Sequence, residues 1–137
     1  MDIRPVSDNI AVAPQIQPED MADLAAQGFV AVICNRPDGE EPGQPDVATM
    51  RAAAEAAGLA FHHIPISSGQ FTRPAVEAYA AVRRGTPGKV LAYCRSGTRC
   101  VTLETLANPD GLPVAERISN AASAGYDLSP LAAQLQD

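Results

Sequence analysis

The chain has 137 residues, a length that suits one core, and residues 1–137 read as a single catalytic domain. Hydrophobic residues make up 46% and aromatics only 4%, so the core must be built from Val, Ile, Leu and Ala around a few rings. A net charge of -6 with one lysine excludes a nucleic-acid surface, which needs clustered cations; an anionic ligand would have to be met by a local positive site.

In chain order, Asn9-Ile10-Ala11-Val12-Ala13 predicts a short strand. Pro18 then opens a helix with Glu19 and Asp20 in its first turn, where carboxylates suit the helix dipole, and Gly28 ends it. Phe29-Val30-Ala31-Val32-Ile33-Cys34 is a continuous apolar run rich in β-branched residues, as expected of a strand covered on both faces. Residues 35–45 form the longest loop, dense in Pro, Gly and acids. Asp46 is placed to cap an alanine-rich helix through residue 57, stopped by Gly58. Residues 59–66 supply a third strand. The polar loop Ser67-Ser68-Gly69-Gln70-Phe71-Thr72 then leads into a helix begun by Pro74 and running to about residue 84. Gly85-Thr86-Pro87-Gly88 turns the chain into the strand Lys89-Val90-Leu91-Ala92-Tyr93. A helix follows over residues 99–107, broken by Asn108-Pro109-Asp110-Gly111. Another spans 113–124, and Ser129-Pro130 opens a last short one. Such alternation predicts an α/β fold with a mainly parallel sheet of four to five strands and helices on both faces. Ligands of such sheets bind outside the carboxyl ends of the strands, where Cys34, the loop after Ile66, and Cys94 should all lie.

Met1-Asp2-Ile3-Arg4-Pro5-Val6 has no basic segment leading into an apolar core, and no run is long enough to span a bilayer. The expectation is a cytoplasmic protein with neither signal peptide nor membrane partner. Three cysteines without a Cys-x-x-Cys pair make neither a disulfide framework nor a zinc site, so no metal or cofactor is expected. His62 and His63 do not alter this, because adjacent strand residues point to opposite faces and cannot share one ion.

The chemistry concentrates in Cys94-Arg95-Ser96-Gly97-Thr98-Arg99, between a buried strand and a helix. Backbone N–H groups of such a loop converge on one point in front of a helix N-terminus, which adds its own partial positive charge. A thiol held there is a thiolate at neutral pH, and Arg95 and Arg99 would lower its pKa further. Gly97, free to take positive φ, lets the backbone curl around an anion. Cys94 and Arg99 are therefore the candidate catalytic residues, and Arg95, Ser96, Gly97 and Thr98 the candidate anion-binding ones. Cys34 and Cys100 are either buried small residues or partners for a disulfide with Cys94. Arg36 either reaches the anion site or forms a loop salt bridge with Glu40 or Glu41. Arg83 and Arg84 end a helix where cations suit the dipole. Tyr79 and Tyr126 read as core or rim residues.

Taken with Val32-Ile33-Cys34-Asn35-Arg36-Pro37-Asp38-Gly39-Glu40 and Ala124-Gly125-Tyr126-Asp127-Leu128, the segment Tyr93-Cys94-Arg95-Ser96-Gly97-Thr98-Arg99 resembles the bacterial phosphatase-like domain of beta-lactamase-hydrolase-like proteins. The resemblance implies a cysteine phosphatase-like fold similar to tyrosine and dual-specificity phosphatases, with a loop similar to that of single-domain rhodaneses. It also points to a persulfide-oxidising enzyme as a partner. Phosphatase signatures place five residues between cysteine and arginine; here four separate Cys94 from Arg99, and Cys100 stands where the arginine would fall. The shorter loop suits a persulfide sulfur better than three phosphoryl oxygens. Phosphatases of this kind also use an aspartate general acid, whereas residues 67–72 hold no carboxylate. Asp38 is either that acid, reaching in from the earlier loop, or a Pro-Asp-Gly turn residue.

These features rank sulfur transfer first. The Cys94 thiolate would take the outer sulfur of thiosulfate or a persulfide, with Arg95 and Arg99 orienting the small anionic donor. Phosphoester hydrolysis through a phosphocysteine, with Arg99 clamping the oxygens, is the alternative. A third reading, an anion-binding or redox-sensing module, rests on Cys34 and Cys100.

Overall fold

The structure is a computed structural model that describes residues 1–67 and 69–136; Ser68, within the polar loop after the third predicted strand, and Asp137 lie outside the described residues. Five strands form one sheet: β1 (Arg4–Ser7), β2 (Ile10–Ala13), β3 (Phe29–Cys34), β4 (Ala60–His63) and β5 (Lys89–Tyr93), in the order β1-β2-β5-β3-β4. Pairing is parallel everywhere except between β1 and β2. The helices are α1 (Asp20–Ala26), α2 (Val47–Ala56), α3 (Arg73–Gly85), α4 (Thr98–Ala107) and α5 (Val114–Ser123), followed by a 3-10 helix over Ser129–Gln134. Among the described residues no helix is long and apolar enough to cross a membrane.

Period-two alternation along buried strands builds two cores. Val90 and Ala92 of β5, Ala31 and Ile33 of β3, and Ile10 and Val12 of β2 face Tyr79 of α3, Val101 and Leu103 of α4, and Ala121 of α5. The intervening Leu91, Tyr93, Val32 and Ala11 face Met21 and Leu24 of α1, and Met50 and Ala54 of α2. Helices therefore cover both faces, and β5 pairs on both sides with β2 and β3. Cys94 consequently lies at the middle of the carboxyl edge.

The cap at Asp46 follows the sequence reading, its Oδ1 accepting the Thr49 N–H at 2.8 Å; a second, unpredicted one is Thr72, whose Oγ1 accepts the Ala75 N–H at 3.3 Å. The edge strand β1 lay outside that reading. Its Arg-Pro-Val-Ser sequence is only partly buried and lacks a clean alternation, and its proline is tolerated because an edge strand leaves some N–H groups unpaired. β4 is also shorter than residues 59–66.

A buried ion pair joins α3 to the helix behind the nucleophile loop. Arg83 Nε and Nη2 donate to the two Glu104 carboxylate oxygens at 2.7 and 3.1 Å, Nη2 also meets Asp110 at 2.9 Å, and the Tyr79 hydroxyl donates to Glu104 at 2.6 Å. Arg83 is thus more than a cation at a helix end. Replacing Arg83 by Ala leaves the Glu104 carboxylate buried without its main partner, and should lower stability by about 3–5 kcal/mol, read as a lower urea midpoint at unchanged m-value.

Candidate active site

The chain leaves β5 at Tyr93 and runs through Cys94, Arg95, Ser96 and Gly97 into α4. Gly97 takes φ +90°, and its N–H points back to Cys94 Sγ at 3.1 Å. Cys94 is 0% exposed, so its charge is held by protein donors. The Cys94 thiol is pulled down to about 5. The Cys100 thiol bonded to it contributes most, and the backbone N–H groups of Ser96, Cys100 and Arg99 add to this, all against the opposing effect of burial. At neutral pH Cys94 is a thiolate, the nucleophilic form.

The other two thiols shift the opposite way. Burial, and then the neighbouring Cys94 sulfur, push Cys100 well above the usual thiol range, so it keeps its proton and donates it. Burial also raises Cys34, whose Sγ donates to the Arg36 carbonyl at 3.3 Å. Cys34 packs in the core over α1 and α2, while Cys94 and Cys100 belong to the core on the other face. All three thiols are free.

Arg99, in the first turn of α4, is held from behind. Its Nη1 and Nη2 donate to the two Glu40 carboxylate oxygens, both at 2.8 Å, and Nη1 also donates to the Ile66 carbonyl at 2.8 Å. This uses the end of the guanidinium and leaves the side formed by Nε and the second Nη2 hydrogen. The Arg99 side chain also hydrogen-bonds to Cys94, so the cation and the thiolate share the site.

Glu40 in turn rests on Arg36, whose side chain is 2% exposed: Nε donates to Glu40 at 2.8 Å, Nη2 to Glu41 at 2.5 Å and Nη1 to Gln15 Oε1 at 2.9 Å. Of the two roles open to Arg36 in the sequence, the loop salt bridge is the observed one, and it takes both glutamates. Arg95 is 70% exposed at the rim, with Nε 3.2 Å from Glu41. Ser96 and Thr98 are also exposed, their hydroxyls bonded to each other at 3.1 Å. Asp38 Oδ1 accepts the Val47 N–H at 2.8 Å, at the start of α2. Glu40 is a site residue that the sequence reading used only as a partner for Arg36. Its signal was the i,i+4 spacing to a buried arginine, but the contact with Arg99 spans 59 positions. The Arg99 bond, foremost, holds the Glu40 carboxyl below its ordinary range; burial opposes it, and the Arg36 bond adds to the lowering. The histidines lie apart in function: His63 Nε2 contacts the Arg36 carbonyl at 2.9 Å, and His62 is lowered by burial and by Arg51.

The model of the phosphatase-like domain of beta-lactamase hydrolase-like proteins matches residues 2–110. A beta-lactamase hydrolase-like protein of Agrobacterium fabrum is 39% identical over 101 residues, which is 74% of this chain and 23% of that protein; the chain thus spans about a quarter of that relative. A candidate phosphatase of Neisseria meningitidis, known from a crystal structure, superposes with a TM-score of 0.83 at 35% identity, covering 98% of this chain and 96% of that one. A kinase-associated phosphatase with serine in place of its catalytic-site cysteine superposes with a TM-score of 0.72 at 14% identity, over 97% of this chain and 89% of that one, a likeness of fold. The phosphatase-like family and the Neisseria structure back the phosphatase alternative better than the sulfur transfer that loop length ranks first. The chain belongs to the family of the phosphatase-like domain of beta-lactamase hydrolase-like proteins.

Proposed function

We propose that the chain is a cysteine-dependent phosphohydrolase for substrates whose leaving group departs without a proton. The observation that carries this reading is the thiolate of Cys94 held at 3.1 Å from the Gly97 N–H, with the Arg99 side chain hydrogen-bonded to it. The Cys94 sulfur attacks phosphorus as the bond to the leaving oxygen breaks. The phosphoryl oxygens take the loop N–H groups and the Arg99 guanidinium, donors already in place before charge shifts. Water then hydrolyses the phosphocysteine and returns the thiolate.

The proton balance narrows the substrates. Asp38 is engaged at the start of α2, and Glu40 is ionised between two arginines. Among the described residues neither carboxylate is placed to protonate an alkoxide. Aryl phosphates with acidic phenols such as p-nitrophenol, acyl phosphates and phosphoanhydrides release anions that need no such help, whereas alkyl phosphates do.

Sulfur transfer is the second reading, favoured by the four-residue spacing between Cys94 and Arg99. In it Cys94 takes the outer sulfur of thiosulfate, sulfite leaves with the electron pair of the broken S–S bond, and an acceptor thiol or cyanide collects the sulfur. A persulfide-oxidising enzyme would be a partner under this reading alone.

One preparation assayed for p-nitrophenyl phosphate hydrolysis and for thiocyanate formation from thiosulfate and cyanide separates the two. Phosphate release lost in Cys94→Ser is expected, with glycerol phosphate turned over at least ~100-fold more slowly; Cys94-dependent thiocyanate without phosphate release would reverse the ranking. The acid limb of the rate should lie near the Cys94 value of about 5, below the range of an ordinary thiol, in a pH series of ultraviolet thiolate absorbance corrected with Cys94→Ser. In Glu40→Gln the Arg99 guanidinium loses its charged anchor, and kcat/KM should fall by about 10- to 100-fold with the thiolate titration little changed.

A further inference from the structure

One peptide group in the nucleophile loop is held at both ends. The carbonyl of Ser96 accepts a hydrogen bond from the Tyr126 hydroxyl at 2.8 Å, and the N–H of the same planar unit, belonging to Gly97, points to Cys94 Sγ at 3.1 Å. Gly97 at φ +90° has no side chain to fix this orientation, and glycine takes either sign of φ with similar ease. A half-turn of that peptide would aim the Ser96 carbonyl oxygen at the thiolate and remove the N–H.

Tyr126 comes from a distant part of the chain. It follows Gly125 after α5, with its N–H on the Ala121 carbonyl at 2.9 Å, and the Arg4 guanidinium of β1 lies over its ring at 5.2 Å. The ring sits so close to the loop that a Cβ built on Gly97 would lie 2.1 Å from the Tyr126 hydroxyl oxygen. The edge strand, the segment after α5 and the nucleophile loop thus meet at this side chain.

We infer that Tyr126 is a positioning residue, whose hydroxyl locks the Ser96–Gly97 peptide with its N–H on Cys94 and so keeps the loop in its anion-accepting form. The role does not depend on whether phosphorus or sulfur is transferred, because it concerns the resting thiolate. Around Cys94 the other ionisable or charged groups are Arg99 and Cys100 from α4 and Cys34 from β3, and a change at Tyr126 leaves all three in place.

The test is a thiolate titration of the full chain carrying Tyr126→Phe, read by ultraviolet absorbance against the same background with Cys94→Ser, so that no turnover is required. Losing one N–H bond to a charged sulfur should raise the Cys94 midpoint by about one pH unit. Tyr79→Phe serves as the control: it removes a buried hydroxyl bonded to Glu104, and should lower Tm without moving that midpoint. A Tyr126→Phe protein that titrates with the parent, whatever its Tm, overturns the inference. So does an equal shift in Tyr79→Phe, which would make the effect one of general loosening. If the phosphatase assay fails while the midpoint moves, the positioning role stands and the reaction assignment falls.

Discussion

A negative charge kept away from water must be met by donors already pointing at it, and the Cys94 sulfur is such a charge. The fold supplies these donors through one junction, a central strand running into the N-terminus of α4. The N–H groups of α4's first turn have no partners within the helix, so they are available to the sulfur that precedes them. The left-handed Gly97 lets the loop close tightly enough to add one more N–H. Cys100 contributes because burial forbids it a charge of its own, which leaves it a proton to donate. Behind them the Arg83–Glu104 pair ties α4 to α3, so the helix that presents the donors is braced at its far side.

A second layer of charge sits over the thiolate. Glu40 and Glu41 lie among Arg36, Arg95 and Arg99, a local excess of cation in a chain of net charge -6. Glu40 does two opposite things. It neutralises part of the positive charge that would attract an anion, and it fixes the end of the Arg99 guanidinium with two hydrogen bonds beside the sulfur. Orientation is worth more than charge at this range, because a free arginine would lose side-chain entropy each time it bound an anion. The same ion pairing keeps Glu40 deprotonated.

Much of this was legible in the residues before any coordinates. The apolar runs of β3 and β5, the cap at Asp46, and the strand-to-helix step at Cys94 are local patterns, set by side-chain periodicity and hydrogen bonding within a few residues. Other features were hidden for reasons of distance or weakness. β1 carries a proline and little burial, so its only evidence is the antiparallel pairing with β2. Asp38, Arg36 and Glu40 sit in one loop, and nothing in that loop says which of them faces Cys94. Loop length, read alone, favours sulfur transfer, whereas the family relationship fits the phosphatase alternative better.

By itself, the sequence determined the order of the elements after β1, the two-sided burial of the sheet and the position of Cys94 before a helix, because each follows from residues adjacent in the chain. Only the tertiary structure decided that Glu40 holds Arg99, that Arg36 serves the glutamates and that Tyr126 grips the Ser96 carbonyl. These contacts join residues 30 to 59 positions apart or share one donor among several acceptors, and such choices are made by packing geometry, which local sequence does not encode.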